Sequence, residues 1–409
     1  MRLLKKHADA SFRIVLHSIL IIVLQAMFFN VKTFAETPPL KTKFITKFPF
    51  LLMDGGIIIL KATIGNFPDT LNFVLDTGCG GISLDSSTVE DLKLTPAISS
   101  KTIKGIGQLK QAKFVYNQTF HLPNLSIDSF EYHINDYEFL RQSYGIKVDG
   151  VIGYSFLKHF IVKVDYDKRM IEVWKPGVIK YPKGGSLMPL SIEKLPFFNA
   201  HIKDKSSIES SYIFDTGAEL CLLMSSSFVE NSNVLSSNKK IVEIPAEGLG
   251  GSQMMKFTVI PELRVGQYSF KNVPSLIFKD EYNVTQYPKT GGIIGNDLLH
   301  RFNLIINYPD AVIHLLPNSY FNEPFDYNYT GFKIFGINGR VIIDNIIKDS
   351  PAEKAGLQSG DIIFGINNNF SNNIADYKEV VASARGKIKI SVIRNNQVKT
   401  IVVPLESIL

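Results

Sequence analysis

The sequence has few of the residues on which most hydrolytic active sites depend. Two cysteines and eight histidines occur in 409 residues, without a cysteine cluster or a His-Glu-x-x-His spacing, so no metal site is indicated. The Gly-x-Ser-x-Gly and P-loop patterns are also missing, and with them the serine-nucleophile and phosphate-binding signatures. The sequence therefore predicts neither a metal nor any other cofactor.

Excess positive charge is confined to the first part of the chain. The formal net charge is +6, and residues 1–35 contain five basic residues against one acidic residue, which leaves about +2 on the remainder. That remainder has no basic block, so nucleic-acid binding has no support. It also has no apolar run long enough to suggest a membrane span, and we expect it to be soluble.

The N-terminus has the features of a secretory signal peptide. Basic residues precede an apolar run at 14–29, and Thr33-Phe34-Ala35 provides the small residues that a signal peptidase prefers. We predict cleavage after Ala35 and export to the periplasm or the extracellular space. An uncleaved membrane anchor is the alternative, and membrane contact is expected only in that case.

Asp-Thr-Gly occurs twice, at Asp76-Thr77-Gly78 and at Asp215-Thr216-Gly217, each time after a short apolar run. Average residue frequencies predict roughly 0.1 copies in a chain of this length. Two carboxylates that share a water cannot both ionise, because like charges about 3 Å apart repel each other strongly. Such a pair can take a proton from water and hydrolyse an amide without metal, serine or cysteine.

The two copies belong to an internal repeat of about 140 residues. A glycine-rich segment follows each copy, at 105–107 and at 248–251. Further on, Val151-Ile152-Gly153 corresponds to Ile293-Ile294-Gly295, and 162–166 corresponds to 304–308. This period is too long for a solenoid unit and indicates a duplicated domain.

This pattern resembles the pepsin and retropepsin superfamily of aspartic proteases over roughly residues 45–318. In that family each lobe provides one aspartate from a loop at the end of a strand, and the loop threonines hydrogen-bond across the lobes. The resemblance implies that Asp76 and Asp215 form the catalytic pair. The supporting residues that it implies are Thr77, Gly78, Thr216 and Gly217. It also implies a mostly β, bilobal fold of two fused retropepsin-like lobes.

A flap hairpin covers the substrate in this family, and both glycine-rich segments are candidates for it. The candidate flap residues are Gly105, Ile106, Gly107, Gly248, Leu249 and Gly250. A duplicated barrel that keeps its loops for structural reasons or for ligand binding is the alternative interpretation of the repeat.

The segment from Ser350 to Asn367 strongly resembles the core of bacterial PDZ domains. Pro351 is predicted to open a short helix, and Gly356 to end it in a left-handed cap. A second helix, at 376–384, is expected to flank a groove in which peptide C-termini bind by strand addition. The candidate peptide-binding residues are Thr330, Gly331, Phe332, Lys333 and Ile334. A spacer domain whose groove is empty or self-occupied is the alternative.

Four segments are predicted: a signal peptide at 1–35, lobe 1 at 36–180, lobe 2 at 181–318, and a linker with the PDZ domain at 319–409. Strands are expected at 56–64, 71–75, 161–166, 170–174 and 311–315, and short helices at 86–92, 154–159 and 296–300. Cys79 and Cys221 are interpreted as thiols, with a disulfide between them as the alternative.

Together these observations predict an exported aspartic endopeptidase that acts on peptide or protein substrates. Its PDZ domain would recruit or position those substrates. The alternative is a catalytically silent protein that binds peptides in the lobe cleft and in the PDZ groove. A processing enzyme for one dedicated client is a third, narrower hypothesis.

Overall fold

The structure is a computed structural model that describes residues 41–104, 109–248, 251–325 and 330–408. The chain divides into two compact units, Met1–Lys41 and Thr42–Leu409. The elements named here all belong to the second unit. No helix in the described part of the chain is both long enough and apolar enough to cross a bilayer. The predicted signal peptide lies outside the described residues.

Strands dominate the second unit, in keeping with its content of branched and aromatic residues. In chain order the strands are β1 Phe44–Pro49, β2 Leu51–Leu52, β3 Ile58–Ile64, β4 Leu71–Leu75, β5 Ile82–Asp85, β6 Ala97–Lys104, β7 Leu109–Leu122, β8 Leu125–Asn135, β9 Gly150–Ile152, β10 Ile161–Asp165, β11 Met170–Trp174, β12 Ser186–Pro189, β13 Ser191–Glu193, β14 Leu195–Lys203, β15 Ser207–Phe214, β16 Leu222–Ser225, β17 Val242–Gly248, β18 Gly251–Val265, β19 Tyr268–Phe278, β20 Gly292–Ile294, β21 Phe302–Asn307, β22 Val312–Pro317, β23 Lys333–Ile337, β24 Arg340–Asp344, β25 Ile362–Ile366, β26 Lys387–Arg394 and β27 Gln397–Pro404.

The helices are short, and most follow a strand directly. They are α1 Ser86–Asp91, α2 Glu138–Tyr144, α3 Tyr154–Leu157, α4 Ser226–Ser232, α5 Asn296–Leu299, α6 Pro351–Lys354 and α7 Ile374–Ser383, with a 3-10 turn at Asp54–Gly56. Three predicted helices appear as α1, α3 and α5, and the predicted groove helix appears as α7. Helices α2 and α4 were not predicted.

Each lobe is a closed barrel of six strands. In lobe 1 the strands run in the order β3-β4-β9-β5-β8-β7, and a pairing between β7 and β3 closes the ring. In lobe 2 the corresponding order is β14-β15-β20-β16-β19-β18, closed by β18 on β14. The order of strands is the same in both barrels, so the sequence repeat is a structural duplication. The predicted mostly β, bilobal fold is confirmed.

The strands that lead to the two Asp-Thr-Gly motifs are buried on both faces. Phe73 and Leu75 pack into the main core, whereas Val74 between them packs into a second cluster on the other face. Lobe 2 repeats the arrangement, with Phe214 in the main core and Ile213 in its own second cluster. A strand covered on both sides reads as a continuous apolar run, which explains why an apolar triplet precedes each motif.

A six-stranded sheet joins the two lobes. Its order is β1-β11-β10-β21-β22-β12, so lobe 1 strands β10 and β11 lie beside lobe 2 strands β21 and β22. Strands β10 and β21 are antiparallel, and Val162 pairs with Ile306 at their centre. Both side chains are buried, so the sheet fixes one lobe relative to the other.

The C-terminal domain is a five-stranded antiparallel sheet, β23-β24-β25-β26-β27, with helices α6 and α7. Strand β26 shows how its sequence specifies its two faces. Ile388, Ile390 and Val392 alternate with polar residues and are fully buried in the domain core. As predicted, Pro351 opens a helix, and Gly356 follows its end with a φ of 92°.

Candidate active site

Each Asp-Thr-Gly motif lies in a loop that a neighbouring parallel strand holds in place. Strand β9 runs parallel to β4, and the Asp76 backbone N–H donates to the Ile152 carbonyl at 3.0 Å. In lobe 2, β20 runs parallel to β15, and the Asp215 N–H donates to the Ile294 carbonyl at 3.0 Å. The apolar-apolar-Gly segments noticed in the sequence are these two strands.

Gly153 and Gly295 end those strands where the backbone passes directly under the loops. A Cβ on Gly153 would lie 2.7 Å from the Asp76 carbonyl oxygen, and one on Gly295 would lie 2.6 Å from the Ala218 carbonyl oxygen. Neither approach leaves room for a side chain. The sequence keeps glycine at both places because the backbone must come this close to the motif loop.

The two loops are joined to each other through their threonines. The Thr77 N–H donates to Thr216 Oγ1 at 3.1 Å, and the Thr216 N–H donates to Thr77 Oγ1 at 2.9 Å. Each hydroxyl then donates across the interface, Thr77 to the Phe214 carbonyl at 2.6 Å and Thr216 to the Leu75 carbonyl at 2.9 Å. Both side chains are fully buried. These four reciprocal hydrogen bonds set the spacing between the two carboxylates.

We predict that Thr216→Val lowers the free energy of unfolding by roughly 2–4 kcal/mol, because the Thr77 N–H and the Leu75 carbonyl lose their buried partner. Thr216→Ser keeps the hydroxyl and should recover most of the loss. Thr46→Val is a matched control, since Thr46 is buried but its Oγ1 has no hydrogen-bond partner among the described residues. Urea unfolding of the three variants measures the effect. A similar loss in Thr46→Val would contradict this account.

The two carboxylates face each other, and each is packed against the glycine of the opposite loop. A Cβ on Gly78 would lie 2.5 Å from Cγ of Asp215, and one on Gly217 would lie 2.6 Å from Oδ1 of Asp76. The Gly217 N–H donates to Asp215 Oδ1 at 2.8 Å. The structure thus brings together all six residues predicted for the catalytic loops.

Burial raises the pKa of both aspartates, because a carboxylate loses hydration when it leaves water. The charge of Asp215 raises the pKa of Asp76 further, and backbone N–H groups oppose the rise at both residues. Because the two groups interact, they titrate as a pair, which retains one proton after the other is lost. Two carboxyl groups in different protonation states are what general acid-base hydrolysis requires.

The thiol next to the first loop is not activated. Burial and the charge of Asp76 raise the pKa of Cys79 well above its ordinary value, so the sulfur remains protonated at neutral pH. In the described part of the chain no disulfide joins Cys79 to Cys221. The same described residues contain no group of three or more His, Cys, Asp or Glu side chains arranged to hold a metal ion.

Each segment that contains candidate flap residues falls, in the sequence, between the two strands of a hairpin. Strands β6 and β7 bracket Gly105, Ile106 and Gly107, which lie outside the described residues. Strands β17 and β18 pair as far as Gly248 and Gly251, and Leu249 and Gly250 lie outside the described residues. Both lobes therefore carry a hairpin where the sequence placed its glycine-rich segment.

The candidate peptide-binding residues lie at the start of the C-terminal sheet. Gly331 has a φ of 72°, and a Cβ there would collide with Ser350, so only glycine fits. Phe332 and Ile334 point into the domain core, whereas Lys333 is exposed. Thr330 is buried beside them. These residues form one loop and the strand β23 that follows it.

Two tyrosines beneath the loops were not singled out from the sequence, although both fall within the repeat. Tyr166 Oη donates to Asn296 Oδ1 at 3.0 Å, below the lobe 2 loop. Its counterpart Tyr308 lies 6.3 Å, centroid to centroid, from Tyr154, which is the repeat counterpart of Asn296. Burial, then the charges of both aspartates, raise the pKa of Tyr308. The signal for this pair in the sequence is the tyrosine that ends both 162–166 and 304–308, after an aspartate in the first copy and an asparagine in the second.

Known families match the three domains separately. A family model described as aspartyl protease matches residues 60–156 and 199–298, and one described as PDZ domain matches residues 342–395. The chain carries two aspartyl-protease-like domains and a C-terminal PDZ domain. The two aspartyl-protease segments contain both Asp-Thr-Gly loops and both strands that hold them.

One curated relative is named as a serine protease. The periplasmic pH-dependent serine endoprotease DegQ of Escherichia coli (strain K12) is 40% identical over 55 residues, which are 13% of this chain and 12% of that protein. The chain thus spans about an eighth of the length of this relative. The matched length is that of a PDZ domain, so the similarity carries no information about the aspartyl-protease-like domains or their chemistry.

Proposed function

We propose that the protein is an aspartic endopeptidase that hydrolyses peptide bonds with a water activated between Asp76 and Asp215. The observation that carries this proposal is the symmetric pair of loops, which brings the carboxyl groups of Asp76 and Asp215 together, each against the glycine of the opposite loop. The match of both lobes to the aspartyl protease family supports it.

In the proposed mechanism Asp215 is the base, because the Gly217 N–H stabilises its charged form. It takes a proton from water as the oxygen attacks the peptide carbonyl carbon. Asp76 gives its proton to the carbonyl oxygen, and a tetrahedral diol forms. The diol then collapses: one hydroxyl proton returns to Asp76, the proton on Asp215 passes to the amine nitrogen, and the C–N bond breaks.

We further propose that the PDZ domain recruits or positions protein substrates. Strand β23 pairs only with β24 among the described strands, so its other edge carries backbone groups to which an extended peptide can add. The loop at Gly331 and Phe332 precedes this strand, as in the family. Peptide or protein chains are therefore the proposed partners of both the cleft and the PDZ domain.

The test of the proposed function is a digest of a peptide library by the mature protein across about pH 3 to pH 8. The rate should follow a bell-shaped profile, because one carboxyl group must be protonated and the other ionised. Both limits belong to the pair and not to either residue alone. Absence of cleavage throughout this range, by protein that is folded, would instead favour the silent peptide-binding alternative.

Export is proposed on the basis of the N-terminal segment. The expected result is a mature protein that begins at Glu36 and is found in the periplasm or outside the cell. N-terminal sequencing of protein recovered from those fractions measures this. A protein that still begins at Met1 and sediments with membranes would support the anchor alternative.

A further inference from the structure

Helix α2 of lobe 1 lies against the PDZ domain. It contacts strand β23, and it also contacts helix α7. The Phe139 ring lies 6.4 Å, centroid to centroid, from Phe335, and the Gln142 carbonyl oxygen is 3.7 Å from the position that a Cβ on Gly336 would take. Phe335 faces away from the PDZ core and is nevertheless buried. Lobe 1 is therefore what covers this side of β23.

The end of the same helix lies against α7. A Cβ on Gly145, the C-cap of α2, would overlap Cγ2 of Ile374 and lie 3.8 Å from its Cβ. The Lys378 ammonium donates to the Ser143 carbonyl at 2.8 Å. Strand β23 and helix α7 are the two walls between which a PDZ domain binds an added peptide strand. Both walls are in contact with the same seven-residue helix of lobe 1.

The contact extends to the second Asp-Thr-Gly loop. Lys378 also forms an ion pair with Asp54 at 3.0 Å. The next residue, Gly55, packs on Glu219, whose Cβ would be 3.0 Å from a Cβ at that glycine. Glu219 in turn accepts a hydrogen bond from Tyr144, the last residue of α2, at 3.4 Å. Lys378 thus binds both the 3-10 turn at Asp54–Gly56 and helix α2. Each of these elements contacts Glu219, which lies four residues after Asp215.

A separate contact joins the PDZ domain to lobe 2. Ile347 is buried in a small cluster with Ile244 and Phe257. These two residues lie on β17 and β18, the hairpin whose tip is a flap candidate. The PDZ domain therefore contacts both lobes, and its position is linked to a catalytic loop and to a hairpin.

We propose that helix α2 closes the PDZ groove in cis, and that a peptide with a free C-terminal carboxylate binds only by displacing it. Displacement frees Lys378 from Asp54 and Ser143 and so removes support from Glu219. Competition for the groove rests on the peptide binding proposed above for the PDZ domain, and not on the proposed hydrolysis by Asp76 and Asp215. Because the docked helix reduces the population that can bind peptide, every change that weakens docking should raise the apparent peptide affinity.

The first experiment changes lobe 1 only, so that the groove itself is untouched. Asp54→Asn removes the ion pair with Lys378, and Phe139→Ala removes the ring contact with Phe335. The probe is a fluorescent decapeptide pool with a free C-terminal leucine, and its C-terminal amide is the negative control. All proteins carry Asp215→Asn, so the probe is not cleaved. Fluorescence anisotropy should show affinity for the free acid about threefold higher or more in both variants.

Asp69→Asn is the matched control for the charge change, since Asp69 is an exposed lobe 1 residue in the turn between β3 and β4. It should leave the affinity unchanged. An affinity that stays the same or falls in both lobe 1 variants overturns the proposal. So does a probe that binds none of the variants, because the groove would then not be a peptide site.

The second experiment locks the helix in place. In Gly145→Cys/Ile374→Cys the predicted Cβ–Cβ separation of 3.8 Å equals the mean of about 3.8 Å in disulfides, and the colliding Cγ2 of Ile374 is removed. Oxidation should form this cross-link, identified by peptide mapping, and weaken binding of the probe about tenfold or more. Reduction should restore binding. Equal binding by the oxidised and reduced forms, or failure of the folded protein to cross-link, overturns the proposal.

Discussion

Replacing either aspartate with asparagine should abolish peptide hydrolysis. Asp76→Asn removes the proton that is given to the carbonyl oxygen, and Asp215→Asn removes the base that takes a proton from water. General acid-base catalysis contributes about 10²–10⁴-fold, and each residue acts as both acid and base during one turnover. We therefore expect kcat/KM to fall by about 10⁴-fold in each variant, measured with a fluorogenic peptide selected from the library digest.

The matched control is Asp69→Asn, which makes the same chemical change at an exposed position in lobe 1. It should keep the activity of the parent protein. A double variant, Asp76→Asn/Asp215→Asn, should be no slower than either single variant, because the two groups act as a unit. Substantial hydrolysis by either single variant would show that the pair is not the catalytic group.

The same variants test the protonation of the pair through stability. A carboxyl group whose folded-state pKa is raised stabilises the fold fully below its ordinary value of 3.8, and this contribution is lost as the pH rises through the raised pKa. Asparagine does not titrate. Between about pH 4 and pH 8 the free energy of unfolding should therefore fall less in Asp76→Asn than in the parent protein, as measured by urea unfolding at each pH.

The bilobal fold and the catalytic loops were predictable from the sequence because their contacts are made by the motif itself. Each Asp-Thr-Gly meets the other copy of Asp-Thr-Gly: threonine hydrogen-bonds to threonine, and glycine packs on the opposite aspartate. Each loop is held by an apolar-apolar-Gly strand that the repeat also marks. Because the two copies of the motif contact each other, both partners of each contact can be recognised in the sequence. Two copies of Asp-Thr-Gly therefore suffice to predict how the two loops pair.

The docking of the PDZ domain could not be predicted in the same way. Phe139 and Phe335 belong to different domains, and neither lies in a motif. Lys378 looks like an ordinary solvated residue on a short helix, and its ion pair with Asp54 spans more than three hundred residues of sequence. Such contacts depend on the relative position of folded domains, which neither periodicity nor turn chemistry encodes.

Helix α2 has local sequence signals but no counterpart in the repeat. Gly145 ends it in a left-handed cap with a φ of 71°, and Arg141 pairs with Glu138 along one face. These are ordinary helix signals. The helix does not follow a repeated motif, however, and lobe 2 has no equivalent of it among its described residues, so the repeat does not predict it. The part of lobe 1 that breaks the symmetry is the part that meets the PDZ domain.

Substituting alanine for Gly78 or Gly217 should lower the proposed peptidase activity by at least about 100-fold. A Cβ at Gly78 would lie 2.5 Å from Cγ of Asp215, which is far inside van der Waals contact. The loops cannot move apart to relieve the clash, because the buried threonine hydrogen bonds join them on the inner side. The carboxylate must therefore turn away from its partner. Displacement of a reacting group by about 1 Å is enough to reduce the rate about 10²-fold, and we expect a loss of kcat/KM of at least that size.

Gly80→Ala is the matched control, since it adds the same methyl group two residues further along the same loop. Gly80 does not have a positive φ, and its Cβ would meet only Lys194 Cβ at 3.6 Å, an ordinary contact distance. This variant should retain the activity of the parent protein and its unfolding midpoint. If Gly78→Ala and Gly217→Ala also retained activity, the two carboxylates would not need the close approach that the structure shows, and a water shared between Asp76 and Asp215 could not be the nucleophile.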